Sequence, residues 1–145
     1  MNFKRKNKYL ITAILTGKGG SKLKDKNIVK ILGKPLLSYP CMAAKKVNEI
    51  SNFFVSSENK KILDIAKKYG YEKIQRPSKF SRKNSLHKDV LVHAIKFLEK
   101  KQIYPDIILV LLANSATIKT TWIKKAIKLL VSKPDATACV PVIEN

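Results

Sequence analysis

The length, composition and charge of the chain exclude several classes of protein. Its 145 residues suffice for one domain with a substantial core, but not for a multidomain assembly. With 45% hydrophobic and 28% charged residues the composition is globular, and no uncharged apolar run reaches the roughly 18 residues of a membrane-spanning helix. The formal net charge is +20, but only three of the 30 cations are arginine and the lysines are scattered, which favours a solvated lysine-rich surface over a nucleic-acid interface.

Short apolar runs alternate with segments of helical periodicity after a basic N-terminal arm over residues 1–8. This alternation is typical of βαβ units and predicts an α/β fold with a mostly parallel sheet, in a single domain over residues 9–145. The predicted strands are Tyr9–Leu15, Asn52–Ser56, a weaker Glu72–Gln75, Ile107–Leu112 and Thr137–Val142. The predicted helices are Leu36–Asn48, Glu58–Lys68, Asp89–Lys101 and Thr121–Leu130.

The last predicted strand has an unusual position. A doubly wound domain normally covers a buried strand with a following helix, but the sequence stops at Asn145, soon after Thr137–Val142. We therefore expect the domain to be incomplete at its C-terminal end.

The two cysteines, Cys41 and Cys139, are far apart and form no C-x-x-C motif. This spacing indicates neither a disulfide framework nor a zinc site. We expect a reducing compartment and a cytoplasmic location.

A loop rich in glycine and lysine follows the first predicted strand, with the sequence Gly17-Lys18-Gly19-Gly20-Ser21-Lys22, and Lys26-Asn27 comes next. Glycines let backbone N–H groups approach a polyphosphate, and lysines neutralise its charge. The loop has neither the Walker A order nor the G-x-G-x-x-G pattern. Taken alone, it fits a tight turn equally well.

The wider pattern resembles the acylneuraminate cytidylyltransferases, which are CMP-sugar synthetases. Residues 14–27 and Gly33-Lys34-Pro35-Leu36 resemble that family's A-R-x-G-S-K, K-N and G-K-P-L motifs, and Val55-Ser56-Ser57-Glu58 resembles its V-S-T-D turn. Arg76-Pro77, with the residues that follow to His93-Ala94, resembles R-P-x-E-L-A…D-V…H-A, and residues 111–120 resemble L-L-Q-P-T-S-P-L-R-T. The resemblance covers nearly the whole chain.

The resemblance implies a three-layer, Rossmann-like nucleotide-diphospho-sugar transferase fold. It also implies transfer of CMP from CTP to an acidic nine-carbon, nonulosonic sugar with release of pyrophosphate. Lys18, Lys22 and Lys26 would be catalytic, and Gly19, Gly20, Ser21, Lys22 and Asn27 would hold the nucleotide phosphates. Arg76 would contact the cytosine edge, Ser85 and His87 would lie near the base and ribose, and Asn114 and Ser115 would bind the sugar.

Several positions depart from the family pattern and indicate a divergent member. Lys18 and Lys83 stand where the family has Arg and Asp, and the spacer before Lys26 is one residue short. Ala113 replaces Gln, while Ala116 and Thr117 replace Ser-Pro, which alters the implied sugar pocket.

Metal ligands and partners are also expectations of the resemblance. It implies Mg²⁺, with carboxylate ligands from a later segment that these 145 residues do not contain, and a homodimer at full length. The sequence has no D-x-D pair, and we interpret Asp25, Glu58 and Asp89 as cap or loop residues. We therefore expect this chain to bind nucleotide without turnover, and we expect no nucleic-acid or membrane partner.

Three alternatives stay open at this point. The chain could be another NDP-sugar nucleotidyltransferase, or a nucleotide-binding pseudoenzyme without the metal carboxylates. More remotely, its charge could serve a basic nucleic-acid-binding module, which would need a contiguous arginine stripe or interleaved aromatic residues.

Overall fold

The computed structural model describes residues 8–20, 25–82 and 84–142. In chain order its strands are β1 (Ile11–Thr16), β2 (Lys30–Ile31), β3 (Lys34–Pro35), β4 (Ile50–Ser57), β5 (Glu72–Gln75) and β6 (Ile107–Leu112). Its helices are α1 (Ser38–Lys45), α2 (Lys60–Lys68), α3 (His87–Lys100) and α4 (Thr120–Ser132), with 3-10 turns at Lys26–Ile28 and Ser78–Ser81. Across these ranges, no helix has both the length and the hydropathy needed to cross a bilayer.

Four strands form one parallel sheet in the order β5-β4-β1-β6. The central strand β1 is buried along its whole length, as expected for an apolar strand that has neighbours on both sides and helices on both faces. Thr16 pairs with Ser56 of β4 and Leu112 of β6, so these strands end level at the carboxyl edge. The predicted mostly parallel α/β sheet is confirmed.

Helices cover both faces of the sheet and create two cores. Ile11, Ala13 and Leu15 of β1 pack into a large core with residues of α1, α2 and α4. Ile14 faces the other way and packs with Phe54, Ile74 and two residues of α3 in a smaller core. The alternation of side chains along a strand produces this three-layer arrangement.

The predicted strand Thr137–Val142 is wrong. These residues have no strand conformation, and Val140 and Val142 are 71% and 83% exposed. An apolar run becomes a strand only where its N–H and C=O groups pair with a neighbour, and the sequence pattern contains no information about that pairing.

The other predicted elements are confirmed, with ends shifted by up to three residues. The sequence did not indicate the β2–β3 hairpin, because two-residue strands are too short to show periodicity. The predicted N-terminal arm lies, except for Lys8, outside the described residues.

Candidate active site

A cleft of about 270 Å³ opens at the carboxyl edge of the sheet, among the segments that follow β1, β5 and β6. Ligands of open α/β sheets bind at this edge. Most of the predicted site residues line the cleft: Lys18, Lys26, Asn27, Arg76, Ser85, His87 and Asn114. The structure therefore brings these predicted residues together in one cleft, while the site and the roles assigned to its residues stay predictions.

The remaining predicted residues lie beside the cleft or outside the described chain. Gly19 and Gly20 belong to the loop that follows β1, and Ser115 follows Asn114 without lining the cleft. Ser21 and Lys22 lie outside the described residues.

The loop Gly17–Gly20, here called the glycine loop, packs closely against its surroundings. A Cβ on Gly17 would lie 2.9 Å from the Cβ of Ala113, and a Cβ on Gly19 would lie 2.3 Å from Nδ2 of Asn59. Asn27 also holds the loop in place, because its Nδ2 donates a hydrogen bond to the Lys18 carbonyl at 2.9 Å. Close packing thus favours glycine at position 17 in particular.

Arg76 joins the glycine loop to the end of β5. Its side chain is 3% exposed, and its Nη2 donates to the Gly17 carbonyl at 2.7 Å and to Oε2 of Glu58 at 2.8 Å. Its Nε donates to Oγ of Ser81 at 3.1 Å. The two N–H groups on Nη1 take no part in these bonds, and Arg76 lines the cleft.

The carboxylate of Glu58 receives three hydrogen bonds at the end of β4. Its donors are the Gly19 amide at 2.7 Å, Ser81 Oγ at 2.6 Å and Arg76 Nη2 at 2.8 Å. Burial raises the pKa of Glu58, but the hydrogen bonds from Ser81, Gly19 and Arg76 outweigh burial and hold the pKa below its usual range. Glu58 is therefore an ionised partner of Arg76 at neutral pH.

Two side chains fix the opposite wall of the cleft. Thr16, the last residue of β1, places its Oγ1 3.0 Å from Nε2 of His87 at the start of α3. Ser85 donates to the carbonyl of Lys79 at 2.7 Å and so ties the segment before α3 to the 3-10 turn Ser78–Ser81. His87 and Ser85, both predicted site residues, thus shape this wall of the cleft as well as lining it.

The cleft carries a net positive charge. Lys18, Lys26 and Arg82 line it, while the charge of Arg76 is offset by Glu58. Cations around a loop of backbone N–H groups suit a polyphosphate ligand. The arrangement can hold an anion in a cleft that Arg76 also lines.

Glu58, the carboxylate in contact with the glycine loop, does not fit a Mg²⁺ site, which needs carboxylate oxygens free to coordinate. Both oxygens of Glu58 accept hydrogen bonds from the protein, and Asp25 lies 4.0 Å from the Lys61 ammonium. Among the residues that the structure describes, no three acidic, His or Cys side chains gather in a metal-binding group. We derive no step through a metal, and the expectation of ligands elsewhere stays a prediction.

Sequence reasoning missed Thr16, Ser81 and the bonding role of Glu58. The V-S-S-E turn placed Glu58 at the end of a strand, which is the signal that could have marked it. Nothing in the spacing of Glu58, Arg76 and Ser81 indicates that they meet, because their contact depends on the order of the strands.

Comparison with other proteins identifies the family. A sequence profile of the cytidylyltransferase family matches residues 12–144. Pseudaminic acid cytidylyltransferase of Campylobacter jejuni is 30% identical over 78% of this chain and 50% of its own length. A Helicobacter pylori protein named pseudaminic acid cytidylyltransferase and UDP-2,4-diacetamido-2,4,6-trideoxy-beta-L-altropyranose hydrolase is 27% identical over 83% of this chain and 23% of its own length.

The fold of the chain is also similar to that of a solved structure. A structure of CMP:2-keto-3-deoxy-manno-octonic acid synthetase complexed with CTP superposes with a TM-score of 0.73 at 16% identity, over 87% of this chain and 49% of that one. The chain thus spans half, or less, of the length of these relatives. The matched profile, the strand order and the position of the glycine loop lead to one conclusion: this chain belongs to the cytidylyltransferase family.

Proposed function

We propose that the chain forms the nucleotide site of an enzyme that transfers CMP from CTP to a nonulosonic acid and releases pyrophosphate. The observation that carries this proposal is the direct bond between Arg76 and the glycine loop, whose Nη2 to Gly17 carbonyl distance is 2.7 Å. It places a group suited to base recognition next to a loop suited to phosphate. A nucleotide can therefore contact both.

The phosphate end of the ligand would lie against the glycine loop. Lys18, Lys26 and Arg82 line this part of the molecule and would neutralise the triphosphate. The sugar's anomeric hydroxyl would attack the α-phosphorus, lose its proton and form the new P–O bond, while the bond to the bridging oxygen breaks and pyrophosphate leaves. Fixed cations at the phosphates stabilise the charge that develops in such a step.

The base end would be selected by Arg76. An N–H of Arg76 Nη1 would donate to N3 on the pairing edge of cytosine, which is an acceptor. Uracil has an N–H donor at position 3, which would face another donor and leave one group unpaired. Mispaired polar groups in a binding site cost affinity, so this arrangement favours CTP over UTP.

The acceptor is proposed from the relatives. The Campylobacter and Helicobacter proteins are named for pseudaminic acid, so we propose this acid as the first acceptor to test, with Asn114 and Ser115 near it. Mg²⁺ as cofactor and a homodimer at full length belong to the same proposal. A CMP-Kdo synthetase is the nearest alternative, because it shares the fold.

Ligand-dependent stability tests the nucleotide proposal. CTP at 100 times its dissociation constant should add about 2.7 kcal/mol to the free energy of unfolding. UTP, ATP and inorganic tripolyphosphate at matched ionic strength should add less, as measured by thermal denaturation. Equal shifts with all four would mean that the cleft senses charge alone.

Pyrophosphate release tests the transfer itself. The assay combines CTP and Mg²⁺ with pseudaminic, sialic and legionaminic acids in turn, or with Kdo. Release with one nonulosonic acid supports the proposal, and release with Kdo alone would move the assignment to the neighbouring enzyme. Because we expect these 145 residues to bind CTP without turnover, the assay is run on this chain and on a protein extended to the length of the relatives. CTP binding without release from any acid by the extended protein would favour the pseudoenzyme.

A further inference from the structure

Glu58 connects three segments of the cleft through its two carboxylate oxygens. Oε1 accepts from the Gly19 amide at 2.7 Å, whereas Oε2 accepts from Ser81 at 2.6 Å and from Arg76 at 2.8 Å. These donors belong to the glycine loop, the turn Ser78–Ser81 and the residue after β5. One side chain therefore fixes the distance between the glycine loop and Arg76.

From this geometry we infer that Glu58 is a positioning residue, which holds the glycine loop and Arg76 in the relative placement that one nucleotide requires. The inference rests on the proposed function, since this placement matters only if both groups bind the same nucleotide. Both oxygens of Glu58 are bonded to protein donors, so Glu58 acts through Gly19 and Arg76 and does not itself bind the ligand.

The charge of Glu58 is as important as its shape. Arg76 is 3% exposed, and a buried guanidinium without a counter-ion is strongly unfavourable. The chain has 10 acidic residues against 30 basic ones, so few carboxylates are available to serve as a counter-ion for Arg76. Glutamine would replace one acceptor oxygen with an NH₂ donor, which would face the Gly19 amide on one side or Ser81 and Arg76 on the other.

The test compares Glu58→Gln and Glu58→Asp with the wild-type protein. Glu72→Gln is the matched control, because it removes the same charge from an exposed carboxylate, one that pairs with Lys101 at the far end of β5. The first measurement is hydrogen exchange of the Gly19 amide without nucleotide, with the Gly70 amide, bonded to the Lys67 carbonyl, as internal reference. The second is the dissociation constant for CTP and for UTP by calorimetry.

We expect Glu58→Gln to speed Gly19 exchange and to raise the dissociation constant for CTP, each by about tenfold or more. The ratio of CTP to UTP affinity should fall, because Arg76 loses its orientation. Aspartate keeps the charge and both acceptors, so Glu58→Asp should recover part of each loss. Glu72→Gln should match the wild type in all measurements.

Two results would overturn the inference. One is Glu58→Gln with wild-type Gly19 exchange and wild-type CTP affinity. The other is tighter CTP binding, which would mean that Glu58 competes with phosphate for the Gly19 amide. If the wild type does not prefer CTP to UTP, the proposed base selection fails, while Gly19 exchange still decides whether Glu58 holds the loop.

If Glu58→Gln does not fold, the wild-type protein still tests the inference. Lowering the pH protonates Glu58 in the wild type, and Gly19 exchange relative to Gly70 should then accelerate as the carboxylate titrates. A constant ratio through that titration would overturn the inference without any variant.

Discussion

The two faces of the parallel sheet have different roles, although the same four strands form both. The face towards α1, α2 and α4 carries seventeen buried core residues within the described chain, whereas the face towards α3 carries five. The difference is largest at the carboxyl edge. There three strands of the α3 face change from apolar to polar side chains.

The change follows the side-chain alternation of each strand. On the α3 face Ile14 is followed two residues later by Thr16, and Phe54 by Ser56, while Ile74 is followed by Arg76 just past the end of β5. The residues between them, such as Leu15 and Val55, belong to the large core. On the α3 face, β1, β4 and β5 thus each exchange their last apolar position for a polar one, whereas β6 keeps Leu112 there.

Replacing Arg76, on the polar part of the α3 face, should have the largest effect on stability and CTP affinity together. Arg76→Met leaves Glu58 without its counter-ion, so we expect a loss of about 3 kcal/mol in the free energy of unfolding, the lower end of the range for buried pairs because Glu58 is 18% exposed. CTP affinity should fall with it. Urea denaturation and calorimetry measure the two losses, and unchanged stability would show that the pair does not stabilise the fold.

A substitution in the core separates the loss of stability from the loss of CTP affinity. Leu98 is fully buried in the α3 core, eight residues after Val90, which lines the cleft, and therefore about 12 Å along the helix from the cleft. Leu98→Ala should cost about 2–5 kcal/mol of stability and leave CTP affinity unchanged. Equal losses of affinity in Leu98→Ala and Arg76→Met would mean that affinity merely follows stability.

The glycine loop gives a smaller effect with an internal control. Gly17→Ala would place a Cβ 2.9 Å from Ala113, in the well-packed large core, so we expect a loss of about 1–3 kcal/mol. A Cβ on Gly20 would meet no atom of the described residues within 4 Å, so Gly20→Ala should change stability by less than about 1 kcal/mol. The comparison by urea denaturation fails if both variants behave alike.

The sequence predicted the central sheet, and it predicted residues that meet in one cleft, because both depend on local patterns. Apolar runs such as Ile107–Leu112 and helical periods identify the elements, and a glycine-rich turn after the first strand marks the ligand edge of an α/β sheet. The position of Arg76 in the cleft followed from resemblance rather than from spacing.

The interactions within the site could not be predicted, because they join residues that are distant in the chain. Glu58 and Arg76 are eighteen residues apart, and Thr16 and His87 are seventy-one apart. Thr137–Val142 failed for the same reason, since strand pairing is a property of two segments and periodicity is a property of one. Patterns thus describe elements, while the site arises where elements meet.

The smallest expected effect concerns His93, which the sequence placed on the apolar face of α3 as a core residue. Its ring packs against Phe80 at 5.4 Å, and its Nδ1 is buried with no hydrogen-bond partner in the described part of the chain. Burial lowers the pKa of His93 below the usual 6.5, and the charges of Arg76, Lys100 and Lys79 lower it further. His93 is therefore neutral in the folded protein at pH values where the unfolded chain is already protonated.

The pH dependence of stability follows from this shift. As the pH falls through 6.5, the unfolded state binds a proton that folded His93 does not, so stability decreases towards the folded pKa. His93→Phe keeps a ring against Phe80 and removes the titrating group. Between about pH 7.5 and about pH 5.5, we expect the variant to gain stability relative to the wild type, as measured by urea denaturation. Glu58 titrates in both proteins and cancels in the difference. Parallel curves would therefore show that folding does not lower the pKa of His93.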